Sequence, residues 1–139
     1  MSFKLLRDPD NTVYRVFVIA SQAYTIGDLV DISRTAADVV PSTSASVTYG
    51  VRGVAMQTVT SAATTLLVAL VTPRQDWVAT VTNASNVAHS GQRMVLTDAR
   101  TVNNTGTDST TSAGVFEQSG AVDATHVVGR ILQAANITA

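Results

Sequence analysis

The chain has two histidines, ten Asp and Glu residues and no cysteine. His89, Ser90 and Asp98 are the three side-chain types of a hydrolytic triad. A triad serine of the α/β-hydrolase kind sits in a G-x-S-x-G elbow, and that motif is absent. His89 stands beside Gly91 and reads as a solvated turn residue. His126 opens a strand-like run and reads as a surface or interface imidazole. Neither histidine has a second ligand within the next few residues, as a zinc site needs. Asp28 and Asp31 are three apart, so on a strand they face opposite ways, which is wrong for a paired acid and base. Asp8 and Asp10 flank Pro9. Asp98, Asn103 and Asp108 do not meet the spacing of a calcium loop. "YGVRGVA" lacks the third glycine and the following helix of a dinucleotide fingerprint. These residues point to no enzyme, no metal and no cofactor.

Composition narrows the remaining classes. At 139 residues the chain is long enough for one domain with a substantial core. Without cysteine, disulfides and thiolate metal sites are unavailable. Net charge is −1, and the nine Lys and Arg residues are scattered singly, Lys4 being the only lysine. That distribution argues against a nucleic-acid surface and a polybasic membrane anchor. The start, "MSFKLLRDPDN", is too charged for a signal peptide. The longest apolar run, "LLVALV", is far short of the ~20 residues of a membrane span. The expectation is a soluble protein made in a cytoplasm.

Charged residues are only 14% of the chain and hydrophobic ones 45%, so much of the surface must be small, uncharged or apolar. Such a surface suits a protein partly covered by partners.

The elements read as strands. Val and Thr favour pleated, half-buried surfaces. "TIGDLVDIS" and "DWVATVTN" alternate, and Trp77, Ala79 and Val81 share the face expected to enter the core. "RTAADVVPSTSAS" reads as a loop broken by Pro41. Residues 55–70 read as a strand, a turn at Ser61–Thr64 and a strand from Thr65. "SNVAHSGQ" reads as a loop or tight turn. The Thr-rich stretch 101–112 reads as a long polar loop. Short strands separated by turn chemistry predict an all-β fold, a small compact barrel or sandwich.

Two features stand out from this pattern. The first is glycine inside strand-like runs. Gly27 fits a tight turn. Gly50 and Gly53 suggest a bulge or corner, and Gly129 a bend or a close backbone neighbour. The second is the apolar N-terminal segment, with Val13, Phe17 and Ile19 on one face and Tyr14, Val16 and Val18 on the other. Such a strand is either central in a sheet or trapped between subunits. The trapped option makes residues 1–19 an extended arm and 20–139 a single β domain. Phe3, Leu5, Val13, Tyr14, Val16, Phe17, Val18 and Ile19 are then the candidate interface.

The order "GDLVDI", "YGVRGVAMQ", "NAS…HSGQRMVLTDA" and "VVGRILQA" resembles the small decoration, or cement, proteins of tailed-bacteriophage heads. The resemblance covers most of residues 20–134 and rests on short glycine-based motifs. It implies a compact β fold without catalytic residues. It implies a virion protein that binds the outer surface of the capsid and stabilises it. Its partners would be the major capsid protein and further copies of itself as a dimer or trimer, with no nucleic acid and no membrane. It would be made in the host bacterial cytoplasm. The competing expectation is a small β-rich phage binding module, a fibre or receptor- or glycan-recognition domain. Such a module would expose aromatic platforms, whereas Trp77 is expected in the core.

Overall fold

The computed structural model describes residues 2–8, 11–19, 22–32, 38–44, 51–72, 74–104 and 114–132. Among them are twelve strands. They are β1 (Lys4–Arg7), β2 (Tyr14–Ile19), β3 (Leu29–Ile32), β4 (Asp38–Pro41), β5 (Val51–Ala55), β6 (Thr65–Leu70), β7 (Asp76–Val81), β8 (Arg93–Met94), β9 (Leu96–Asp98), β10 (Thr101–Val102), β11 (Phe116–Asp123) and β12 (His126–Ile131). The protein is all-β, and among the described residues there is one short 3-10 helix, at Val87–His89 between β7 and β8.

Five strands close a barrel in the order β2-β4-β3-β5-β6. All its pairings are antiparallel except β2 with β4. The other seven form one sheet, β8-β11-β12-β7-β10-β9, with β1 also paired to β7. The two ends of that path, β8 and β9, are separated in the chain only by Val95. The second sheet is therefore nearly closed.

Each sheet has its own core. Ile19, Tyr24, Val30, Val39, Ala55, Leu66 and Val68 fill the barrel. Phe3, Trp77, Ala79, Val81, Met94, Leu96, Phe116, Val127 and Ile131 are among those filling the second sheet. Strands β3 and β5 belong to both. Leu29 and Val54 lie opposite one another and join the second core, while their neighbours Val30 and Ala55 turn into the barrel. Side-chain alternation makes this possible, because a strand apolar on both faces can wall two cores.

Residues 1–19 are not an arm reaching away from the domain. Phe3 is fully buried, with its ring 6.3 Å from that of Phe116. Strand β1 pairs with β7, Leu5 opposite Trp77, and Leu5 packs against the second core. Strand β2 runs the length of β6, from Tyr14 opposite Ala69 to Val18 opposite Thr65. Of the two readings of its two-faced apolar pattern, the strand central in a sheet is the one found, since β2 is paired on both sides, with β4 and with β6. Phe17 and Ile19 face the barrel core, and Tyr14, Val16 and Val18 face outward.

The loop expected over "RTAADVVPSTSAS" contains β4. Val39 drives this, being 2% exposed and opposite Ile19. Pro41 ends the strand, where a missing N–H is tolerated. Gly53 makes neither bulge nor corner, since the β3–β5 register runs without a shift. A Cβ there would meet Val68 Cγ1 at 2.3 Å, so the absent side chain makes room for the facing strand. Gly27 has a φ of 94°, within the left-handed region that favours glycine. Its carbonyl accepts from Phe3 N and its N–H donates to Ala55 O, tying the N-terminal segment to the barrel. At Gly129 a Cβ would lie 2.1 Å from Glu117 O and 2.8 Å from the Phe116 ring. Gly50 and residues 105–112 of the Thr-rich stretch lie outside the described residues.

Trp77 is 1% exposed at the centre of the second core. Trp77→Ala is expected to cost about 3–5 kcal/mol in urea unfolding, the usual penalty for emptying a large aromatic site. Deleting residues 1–19 removes Phe3 and one strand of a closed barrel. The expected result is a chain without cooperative thermal unfolding, read by near-ultraviolet circular dichroism.

Candidate interaction face and the seam between the sheets

The outward face of β2 is apolar along its whole length. Tyr14, Val16 and Val18 are 53%, 61% and 63% exposed. Their opposites on β6 are Ala69, Leu67 and Thr65, none of them charged. On the other side of β2, β4 sets Asp38 opposite Val18 and places Val40 outward at 56% exposure, one residue beyond inward-facing Val39. Val13, just before the strand, is also exposed. A strand on the outside of a soluble barrel ordinarily alternates apolar with polar. This stripe leaves β-branched side chains in water instead, and a contiguous exposed apolar patch marks a binding surface.

Of the eight candidate interface residues, the structure brings Tyr14, Val16 and Val18 to this surface, with Val13 exposed just before the strand. It places Phe3 and Ile19 in the cores, with Leu5 and Phe17 half-buried against them. Sequence reasoning did not find Val40, because its segment was read as loop.

The seam between the two sheets is held by charge. Asp28, 4% exposed, accepts from Arg100 Nε at 2.7 Å and from Nη2 at 3.4 Å. Its other partner is the Thr25 N–H at 2.9 Å, so the carboxylate also closes the Gly27 turn. The hydrogen bond to Asp28 raises the Arg100 pKa further above its ordinary value. Leu29 N donates to Ala99 O at 2.8 Å beside this pair. On β5, Arg52 is 1% exposed and lies opposite Asp31 of β3. Its Nε is 3.4 Å from Asp31 Oδ1, and its Nη1 donates to Leu132 O at 2.8 Å. Burial lowers the Arg52 pKa, opposed by the Asp31 charge, which favours the protonated form. Ser42 Oγ also donates to Asp31. The two aspartates thus serve two different bridges between the sheets, not one acid–base pair.

A groove of about 400 Å³ opens at this seam, lined by Gln22, Ser42, Thr43, Ser44, Asp98 and Arg100 among others. Asp98 accepts from the Arg100 N–H. No contact among the described residues joins Asp98 to His89 or Ser90. His89 is not simply a solvated turn residue, because its Nδ1 is buried. His126 sits at the tip of the β11–β12 hairpin, its Nδ1 2.8 Å from Asp123 Oδ1. The Thr125 N–H and His126 hold the Asp123 pKa below the usual carboxylate range. No group of three or more His, Asp or Glu among the described residues is arranged to hold a metal ion. No helix among them is long and apolar enough to cross a membrane.

Neither protein-family models nor curated proteins match this sequence.

Arg52→Ala would remove the anchor of Leu132 and one partner of Asp31. Asp31 keeps Ser42 and some contact with water. The expected loss is therefore about 1.5–3 kcal/mol, the range for hydrogen bonds to a charged group. Chemical denaturation checks it. A loss below half a kcal/mol would mean that Arg52 is not holding the seam.

Proposed function

We propose that this protein decorates the outer surface of a tailed-phage head and stabilises the shell. The observation that carries the reading is the run of exposed apolar residues Tyr14, Val16 and Val18 on β2, with Val40 on the neighbouring strand, on the outside of the barrel. Its side chains are half or more exposed although their neighbours on the same strands fill a core. Covering one such side chain fully is worth about 1.5–3 kcal/mol, and less when it is already partly buried. Four of them suffice for a modest contact. A shell that presents many identical sites, with subunits linked to one another, turns modest contacts into durable attachment. The sequence motifs that resemble cement proteins support the same reading. The partners are then the major capsid protein and neighbouring copies of the chain.

The competing reading is a receptor- or glycan-recognition module, and the groove at the seam, with Ser42, Thr43 and Asp98 in its lining, favours it. Against it, Trp77 and Tyr24 are buried, and exposed Tyr14 does not line that groove.

Co-sedimentation with expanded, undecorated heads of the phage that carries the gene separates the two. Wild-type protein is expected to pellet with the heads. Val16→Asp and Val18→Asp each put a charge on the stripe without touching either core. Both are expected to lower head binding at least tenfold while leaving the thermal midpoint within a few degrees. Unchanged binding by both variants would sink the stripe as the capsid contact. Saturable glycan binding with no head binding would replace the decoration reading by its competitor.

A further inference from the structure

Three buried polar atoms at one corner of the second sheet have no hydrogen-bond partner among the described residues. They are His89 Nδ1, Gln92 Oε1 and Gln118 Oε1. Pairing of β11 with β8 sets Phe116 opposite Met94 and Glu117 opposite Arg93. One step further, Gln118 N donates to Gln92 O at 3.2 Å. Opposed residues in an antiparallel pair share a face, and positions two apart along a strand share it too. Phe116 and Met94 are fully buried on the core face, so Gln118 and Gln92 belong to that face at its end.

The chain from Asn86 to Gln92 closes over this corner. Gln92 N donates to His89 O at 3.0 Å, and Gly91 N to Gln118 O at 2.7 Å. Gln118 Nε2 donates to Asn86 O at 2.8 Å. That last bond fixes the carboxamide. Turned over, its oxygen would face another carbonyl oxygen. Gln118 itself is 0% exposed, so its Oε1 is an acceptor held in the interior without a donor. Leaving such a group unmet costs the desolvation of a polar atom.

The needs of the three atoms define the guest. Two amide oxygens accept only, and an imidazole nitrogen donates or accepts according to its tautomer. One molecule with two donors and one acceptor meets all three. A cation would bring an uncompensated charge, since adjacent Arg93 and Glu117 are paired with each other at 3.6 Å. We propose that residues 86–92 enclose a structural water that donates to Gln92 Oε1 and Gln118 Oε1 and accepts from His89 Nδ1–H. Three hydrogen bonds are what a buried water typically makes. The arrangement makes His89 the Nδ1–H tautomer. It also latches the 3-10 helix whose Val87 stands 70% exposed, so the water positions an apolar tip on this side of the molecule.

The test uses ¹⁵N-labelled full-length protein carrying His126→Asn, which leaves His89 as its only imidazole. Multiple-bond ¹H–¹⁵N spectra above the imidazole titration range should place the proton on Nδ1. A rotating-frame experiment should show a cross-peak from that proton to a long-lived water. Gln92→Leu should abolish the water cross-peak, and Gln118→Leu should do the same. If Gln118→Leu fails to fold, Gln92→Leu carries the readout alone, because Gln92 is not part of the bond to Asn86. A proton on Nε2 would overturn the proposal. So would an Nδ1 proton with no water cross-peak, which would mean a direct imidazole–amide bond. A cross-peak surviving in Gln92→Leu would place the water elsewhere.

Discussion

A strand pair with a hydrophobic core on each side governs this molecule. Strands β3 and β5 send Leu29 and Val54 into one core and Val30 and Ala55 into the other. Neither sheet is complete without that wall. The same strands carry the charged residues that face the second sheet, with Asp31 opposite Arg52 and Asp28 just before β3. The two most buried of these charges, Asp28 and Arg52, find partners across the seam in Arg100 and the Leu132 carbonyl, while partly exposed Asp31 pairs with Arg52 on the neighbouring strand.

Once β3 and β5 are committed inward, the opposite side of the barrel meets water. Strand β2 lies there, flanked by β6 and β4. It keeps valines on its outer face although they are more than half exposed. Closure of the barrel leaves β2 no free edge, so any partner must meet it through side chains and not by adding a strand. A side-chain contact of this kind has no backbone register to fix its orientation. The shape of Tyr14 beside the valines has to supply that.

Much of the fold was legible. The alternation around Trp77 gave a true strand with the expected buried face, and the turn before Thr65 was visible despite the helical spacing of its apolar residues. The segment Val13–Ile19 was harder. A strand with apolar residues on both faces reads the same whether it is sandwiched or has one face awaiting a partner. Burial separates those cases, and burial depends on which strands lie alongside. Conversely β3 and β5 are the sandwiched pair, yet Asp31 and Arg52 interrupt their pattern, so the sequence made them look half-exposed. Arg52 is the clearest miss. Its only local signal is a cation between Val51 and Gly53 in an apolar run. Gln118 hid among polar neighbours for the same reason. The outward position of Val40 was masked by Pro41, which is a loop signal by type and a strand end in fact.

The N-terminal strand has a further consequence, for the order of events during synthesis. Lys4 leaves a ribosome well ahead of its partner Val78. Arg52 leaves it well ahead of the Leu132 carbonyl that it anchors. Chains lengthen at about 5–20 residues per second, so β1 waits seconds for a partner while Phe3, buried in the finished fold, stays in water. The barrel strands β2 to β6 are contiguous in the chain and can pair meanwhile. Their outer wall, Leu29 and Val54, remains uncovered until the second sheet arrives. The nascent protein is therefore exposed to aggregation while the barrel stands without the second sheet, and that wall is covered only once β12 is released.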